Sequence, residues 1–261
     1  MTPKPYKILY LDSGSGIGGG QRSLLLLLKH LDKERFHPFV GCLADSMLAA
    51  EAQRAGHTVI SLELPKSHEK SDKTRRFTFG DVIRDLRQLG VVSQLLHLVK
   101  EKRIDLIHAN SLAAGLIGGS VAKLSRVPIL MHKRYATSYG ILDRVGEKLL
   151  DRVILVSEAT RWDFAPRSKQ TLIYNGVELE SFRAPEEEVE SIRANLKLSR
   201  GDVVVGVATR ITPEKGIHLL IEAMAKLKDL PQIKLLVVGG PYFPGDTTYI
   251  DSLKTRTKEL G

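Results

Sequence analysis

From the N-terminus to Tyr174 the apolar positions alternate between short runs and helical spacings, so the chain reads as strand, helix, strand, helix. Tyr6 to Asp12 (YKILYLD) is patterned as a buried strand, followed by a glycine-rich turn and an apolar helix from about Gly20 to Leu31. Phe36 to Leu43 predicts a second strand, Ser46 to Ala55 a second helix and His57 to Leu64 a third strand. Lys66 to Gly80 is polar and basic and reads as a loop. Asp81 then caps a long helix to about Lys102, with Val82, Ile83, Leu86, Leu89, Leu95, Leu96 and Val99 at helical spacing. Further strands are predicted at Ile104 to His108, Val127 to His132, Arg152 to Val156 and Thr171 to Tyr174, with helices between them. This alternation argues an α/β fold with a doubly wound parallel sheet.

The composition shifts to a polar, acid-rich stretch at Arg183 to Asp202. It divides an expected domain at 1–183 from a second at 202–261, with 184–201 as the crossing and room there for a short helix. The second unit predicts strand Val203 to Ala208, helix Pro213 to Lys228, strand Ile233 to Val238 and helix Asp246 to Leu260. Two strand–helix units cannot cover both faces of a parallel sheet. The expectation is therefore a second domain cut short, and an enzyme that is incomplete as given.

Composition narrows the function classes. The longest pure aliphatic run, Leu24 to Leu28, is far from the roughly 18 apolar residues of a membrane span. Met1 to Tyr10 lacks the basic region and apolar core of a signal peptide. Cys42 is the sole cysteine, which excludes an internal disulfide and cysteine metal clusters. A cytoplasmic protein is expected. The net charge of +9 admits nucleic acid, anionic lipid or a phosphorylated ligand. Aromatic residues are not interleaved with the basic runs as single-strand binders require, so nucleic acid is not expected as a partner. The basic excess concentrates between Lys66 and Arg103, where Phe77 and Phe79 follow a lysine- and arginine-rich loop. That favours an anionic membrane surface, although Glu69 and Asp72 interrupt the run and a solvated loop is the plain alternative.

Three features carry candidate chemistry. Gly14, Gly16 and Gly19 match GxGxxG after the first strand and open a helix, where backbone and helix dipole can approach a phosphate. A tight strand-to-helix turn would look the same. The dinucleotide version also wants an acid after the second strand, for which Asp45 is a loose candidate. Arg210 and Lys215 flank a predicted helix start, Thr212-Pro213, at a strand end. Two cations beside a helix N-terminus repel one another unless an anion joins them, or are simply solvated. His108 and His132 end strands, and Arg134 follows His132 on the same side. Strand carboxyl ends are where open parallel sheets bind ligands, but a structural histidine also fits there. No His, Asp and Glu cluster has metal-ligand spacing, and Ser157 lacks a nucleophile-elbow frame.

In order along the chain, GGGQRSLLLLLKHL, AGHTV, DLIHANS, VPILMHKR, VILVSEAT, LIYNGVELESF, ATRITPEKGIHLLIEAMAKL and IKLLVVGG resemble the landmarks of the GT-B fold retaining glycosyltransferases of family 4. The resemblance implies two Rossmann-like domains with parallel sheets, facing a cleft. It implies a UDP- or GDP-sugar as donor substrate, no permanently bound cofactor and no metal. Arg210 and Lys215 would hold the donor diphosphate, Gly18, Gly19 and Gly20 would approach it from the first domain, and Gln21 and His108 would face acceptor or sugar. The family's histidine near the transferred sugar falls by its common spacing on Arg134 and by a variant spacing on His132, so both are catalytic candidates. The acceptor is expected to be a saccharide or a lipid-linked sugar, with the protein peripheral at the inner membrane face. A Rossmann oxidoreductase or epimerase is the competing enzyme, and a non-catalytic sugar-phosphate or membrane-surface module the competing binder. The oxidoreductase leaves Arg210 and Lys215 unexplained.

Overall fold

The computed structural model describes residues 4–14, 16–62, 79–241 and 247–261, with side chains of the helix at 79–102 described from residue 90 onward. The basic loop expected at 66–80 therefore lies almost wholly outside the described residues, as do the side chains of Arg84 and Arg87. The chain divides into two compact units, Met1–Leu179 and Glu180–Gly261.

In the first unit, strands β1 (Tyr6–Leu11), β2 (Phe36–Leu43), β3 (Thr58–Leu62), β4 (Leu106–Ala109), β5 (Ile129–Lys133), β6 (Arg152–Leu155) and β7 (Gln170–Leu172) form one sheet in the order 3-2-1-4-5-6-7. Every pairing is parallel. Helices α1 (Gly19–Lys29), α2 (Met47–Arg54), α3 (Phe79–Lys102), α4 (Leu112–Ser125) and α5 (Ile141–Leu149) connect the strands. The chain moves outward from β1 to β3 and then returns to place β4 beside β1. This reversal leaves a crevice at the carboxyl ends of β1 and β4, where no connection crosses.

Alternation along β1 assigns its residues to two cores. Leu9 and Leu11 join Ile107, Ala109, Ile129, Met131 and the α3 and α4 side of the sheet. Ile8 and Tyr10 join Leu24 and Leu28 of α1 on the other face. Fully burying each such aliphatic side chain is worth roughly 1.5–3 kcal/mol. Helix α4 approaches closely because its face is small: a Cβ on Gly118 would lie 2.9 Å from Leu11 Cδ1, and one on Gly119 2.7 Å from Leu149 Cβ of α5. Helices α2 and α4 are capped as expected of serine, with Ser46 and Ser111 accepting from the amides of Ala49 and Ala114.

The second unit pairs β8 (Val203–Ala208) with β9 (Ile233–Val238) in parallel. It also holds α6 (Glu186–Asn195), α7 (Ile217–Ala225) and α8 (Thr248–Leu260), with a small core of Ile217, Ile221 and Leu253.

Boundaries differ from the sequence reading in two instructive places. The long helix begins at Phe79 rather than at Asp81. The helix expected from Pro213 to Lys228 is α7, Ile217–Ala225, preceded by a separate 3-10 turn, Pro213–Lys215. Gly216 stands in the left-handed region (φ 68°) and breaks it from α7. Lys215 is thus in a turn before the helix rather than in its first turn.

Candidate functional site

Two ladders of side chains cross β1, β4 and β5 on the α1 face of the sheet. The lower one is aromatic: Tyr10 meets His108 at 4.9 Å between ring centroids, and His108 meets His132 at 4.8 Å. The upper one consists of the residues two positions further along each strand, Asp12, Asn110 and Arg134. The period of two explains why they share a face. The register brings Leu11 opposite Ala109, so Asp12 and Asn110 leave β1 and β4 side by side at the crevice. The amide of Asn110 donates to the carbonyl of Leu11 at 2.8 Å, carrying the pairing to that point.

Asp12 is 1% exposed and saturated with donors. Its Oδ1 accepts from the Gly14 amide (2.8 Å) and Gln21 Nε2 (3.0 Å), and its Oδ2 from Gln21 Nε2 (3.1 Å) and Asn110 Nδ2 (2.6 Å). Asn110 also donates to the Gly20 carbonyl at 3.3 Å. Its Oδ1 accepts from Arg134 Nε (3.1 Å) and Nη2 (2.6 Å), while Arg134 Nη1 donates to Asn175 Oδ1 (3.1 Å). Ser23 Oγ of α1 donates to the same Asn175 oxygen at 3.0 Å. Ser13 and Ser111 meet across the crevice at 3.2 Å.

The glycine turn is built to fit this network. A Cβ on Gly14 would lie 2.6 Å from Gln21 Nε2, and one on Gly20 3.0 Å from Arg134 Cδ. Gln21 Oε1 also accepts from the Gly18 amide at 3.0 Å, closing the turn onto the first helical residues. The Gln21 amide is therefore turned inward, bracing the loop, and is not directed outward.

His108 Nε2 and His132 Nδ1 are 2.7 Å apart. Burial, then His132 and Arg134, hold His108 well below its ordinary range, and burial followed by Arg134 brings His132 down to about 4. Both rings are neutral near pH 7, and His108 lies a layer beneath Arg134 rather than at the surface. Beyond β5, Lys133 is buried and donates to the Tyr135 carbonyl at 2.6 Å. Asp143, buried in the first turn of α5, accepts from Trp162 Nε1 (3.0 Å), Ser138 Oγ (2.9 Å) and the Tyr139 amide. These bonds shape the segment 135–140, which carries the exposed rings of Tyr135 and Tyr139. A shallow pocket at the end of β5 is lined by Ser111, His132, Arg134, Tyr135 and Tyr139, among others.

Of the residues singled out in the sequence, Gly18, Gly20, Gln21, His108, His132 and Arg134 thus converge at one sheet edge. Gly19 opens α1 beside them, and a Cβ there would meet nothing within 4 Å. Arg210 and Lys215 belong to the second unit, where both are exposed after the carboxyl end of β8. There Glu214 supplies an internal anion. Its own backbone amide, the Thr212 side chain, Arg210 and Lys215 together hold its carboxyl below the usual range. Beside them Gly239 (φ 152°) packs so closely that a Cβ would collide with the Thr209 carbonyl. Asp12, Asn110, Asn175 and Asp143 were not anticipated. The signal for the first two was present, since each is a polar residue directly after a mostly apolar strand. Among the described residues no group of three or more His, Cys, Asp or Glu could hold a metal ion.

Residues 17–181 match the family model described as Glycosyltransferase Family 4, and residues 188–261 match Glycosyl transferases group 1. The chain is 28% identical to alpha-monoglucosyldiacylglycerol synthase of Streptococcus pneumoniae, over 87% of this chain and 57% of that protein. It is 23% identical to the UDP-Gal:alpha-D-GlcNAc-diphosphoundecaprenol alpha-1,3-galactosyltransferase of Escherichia coli, over 71% of this chain and 54% of that one. The chain therefore spans little more than half the length of these relatives. Anabaena HepE, solved in complex with UDP and glucose, superposes with a TM-score of 0.76 at 25% identity, covering 98% of this chain and 67% of HepE.

Proposed function

The chain belongs to glycosyltransferase family 4, and on that premise we propose that the protein it forms moves a sugar from a UDP- or GDP-sugar to an acceptor with retention of configuration. The observation that carries this reading is the cationic head of the upper ladder. Arg134 is held at the carboxyl edge beside the β1–β4 reversal, next to a glycine turn in which a Cβ on Gly16 or Gly19 would meet nothing within 4 Å. The UDP and glucose in the HepE complex support a nucleotide-sugar donor of the UDP type.

In this mechanism the protein positions the reactants and stabilises charge on the leaving diphosphate. Arg210 and Lys215 of the second unit hold the diphosphate, and in the first unit the turn at Gly18, Gly19 and Gly20 is open to backbone approach by a ligand. Arg134 faces the transferred sugar, with the neutral His108–His132 pair as its floor. Gln21 shapes the turn from behind. The acceptor is a saccharide or a lipid-linked sugar, as the names of the Streptococcus and Escherichia relatives suggest by analogy. The reaction then belongs to glycan, lipopolysaccharide or glycolipid synthesis, at the cytoplasmic face of a membrane. No helix among the described residues is long and apolar enough to cross a membrane.

The reading is tested by presenting UDP- and GDP-sugars to the protein encoded by the complete reading frame and following release of the nucleoside diphosphate. Transfer with the anomeric configuration kept, read by NMR of the product, is expected. Oxidation or epimerisation of the sugar nucleotide without transfer would overturn it.

A further inference from the structure

We infer that Asn110 is a positioning residue for Arg134, and that Asp12 fixes the direction in which Asn110 works. The side-chain amide of Asn110 has one donor end and one acceptor end. Both donor contacts, Asp12 Oδ2 at 2.6 Å and the Gly20 carbonyl at 3.3 Å, are to groups that only accept. Both acceptor contacts, Arg134 Nε at 3.1 Å and Nη2 at 2.6 Å, are from groups that only donate. Rotating the amide by half a turn would place oxygen against oxygen and N–H against N–H at all four contacts, so the amide has a single orientation. The relay runs from carboxylate to amide to guanidinium, and each member permits only one arrangement of the next.

The site is closed against alternatives. Asn110 is 2% exposed, so a lost partner there is not replaced by bulk water. The stem of Arg134 runs over Gly20, where a Cβ would stand 3.0 Å from Cδ and 3.4 Å from Nε. Asn175 holds the far nitrogen at 3.1 Å. These three bonds use one N–H on each guanidinium nitrogen and leave one on each terminal nitrogen. A polar group presented at the sheet edge can take those two. Asparagine supplies a donor to Asp12 and an acceptor to Arg134 from two separate atoms of one planar group. Aspartate would satisfy Arg134 but set a second carboxylate against Asp12. Alanine would satisfy neither.

The test has two arms, of which only the kinetic one rests on the sugar-transfer reading. In the first, exchange of the Arg134 Nε proton with solvent is measured by NMR in the chain 1–261, with Arg134→Lys used to assign the signal. Slow exchange in the parent and at least tenfold faster exchange in Asn110→Ala is expected, and equal protection in both would overturn the inference. In the second, donor turnover is compared for Asn110→Ala, Arg134→Ala and the double variant in the protein encoded by the complete reading frame. Misplacing a reacting group costs on the order of tenfold to a hundredfold. Asn110→Ala should lose that much in kcat with KM for the donor nearly unchanged, and should add nothing once Arg134 is already alanine. A full further loss in the Arg134→Ala background would overturn the inference. Full turnover by Arg134→Ala would instead overturn the placement of Arg134 at the transferred sugar, and the exchange arm would still decide whether Asn110 orders it. Should Asn110→Ala fail to fold, the exchanged pair Asp12→Asn/Asn110→Asp restores the donor–acceptor order. It should protect the Arg134 proton better than Asn110→Asp alone, and no gain over the single variant would count against the relay.

Discussion

His108 Nε2 and His132 Nδ1 lie 2.7 Å apart beneath Arg134, so one nitrogen donates, the other accepts, and a second proton has no place in the bond. Both rings titrate below the ordinary histidine value, His132 at about 4. The unfolded chain, with histidines near 6.5, binds more protons than the folded one between those values. Stability from the pair is therefore complete above about pH 6.5 and is lost as the pH falls toward 4. The loss from His132 alone should be on the order of 3 kcal/mol, and His108 adds to it in the same direction. Urea midpoints followed by the fluorescence of Trp162, the single tryptophan, should drop across this window. The double replacement His108→Phe/His132→Leu should flatten the profile, and an unchanged slope would assign the pH dependence elsewhere.

Asp143 ties Trp162 to the segment that carries Tyr135 and Tyr139. Asp143→Ala strands the buried indole N–H and the Tyr139 amide. A cost of about 1–3 kcal/mol is expected, with a shift in tryptophan emission. Asp143→Asn keeps an acceptor for one of these donors and should cost less. Equal stability of the alanine variant would show that the segment is held by other contacts.

Gly20→Ala separates stability from activity. Alanine is the better helix residue, by up to about 1 kcal/mol, so the urea midpoint should hold or rise. Its Cβ must still displace the Arg134 stem that lies 3.0 Å away. Turnover should fall severalfold while the protein remains fully folded. A variant as active as the parent would mean that Arg134 has room to shift without consequence.

The contrast between legible and illegible features follows from range. The strand–helix alternation, the parallel sheet and the place of His108, His132 and Arg134 at strand ends depend on local periodicity, which the residues carry on their own. The relay of Asp12, Asn110 and Arg134 depends on which strands become neighbours, with separations of 98 and 24 residues. Each polar strand terminus was visible, but not that β4 returns to β1. The helix expected from Pro213 begins instead at Ile217, for a local reason. Gly216 can enter the left-handed region at no steric cost, and it does. Glu214, between Arg210 and Lys215 in the sequence, is a neighbouring anion in the same segment that both cations act on.

The basic stretch that includes Lys66, Lys70, Lys73, Arg75 and Arg76 lies outside the described residues, and its expected role is testable in solution. Basic side chains near an anionic bilayer contribute about 1 kcal/mol each. The protein should co-sediment with vesicles containing anionic lipid at low salt, less so at physiological salt, and not with neutral vesicles. Indifference to lipid charge would leave a soluble acceptor as the better reading.

The proposal that this is a nucleotide-sugar enzyme is tested most directly by calorimetric titration of UDP and GDP into the protein encoded by the complete reading frame and into its Arg210→Ala/Lys215→Ala variant. Each charge-assisted contact to a diphosphate is worth roughly 1.5–3 kcal/mol. Binding of at least one nucleotide by the parent, weakened by about a hundredfold or more in the variant, is expected. Equal binding by both proteins would remove Arg210 and Lys215 from the donor site, and no binding of either nucleotide by the parent would contradict the assignment itself.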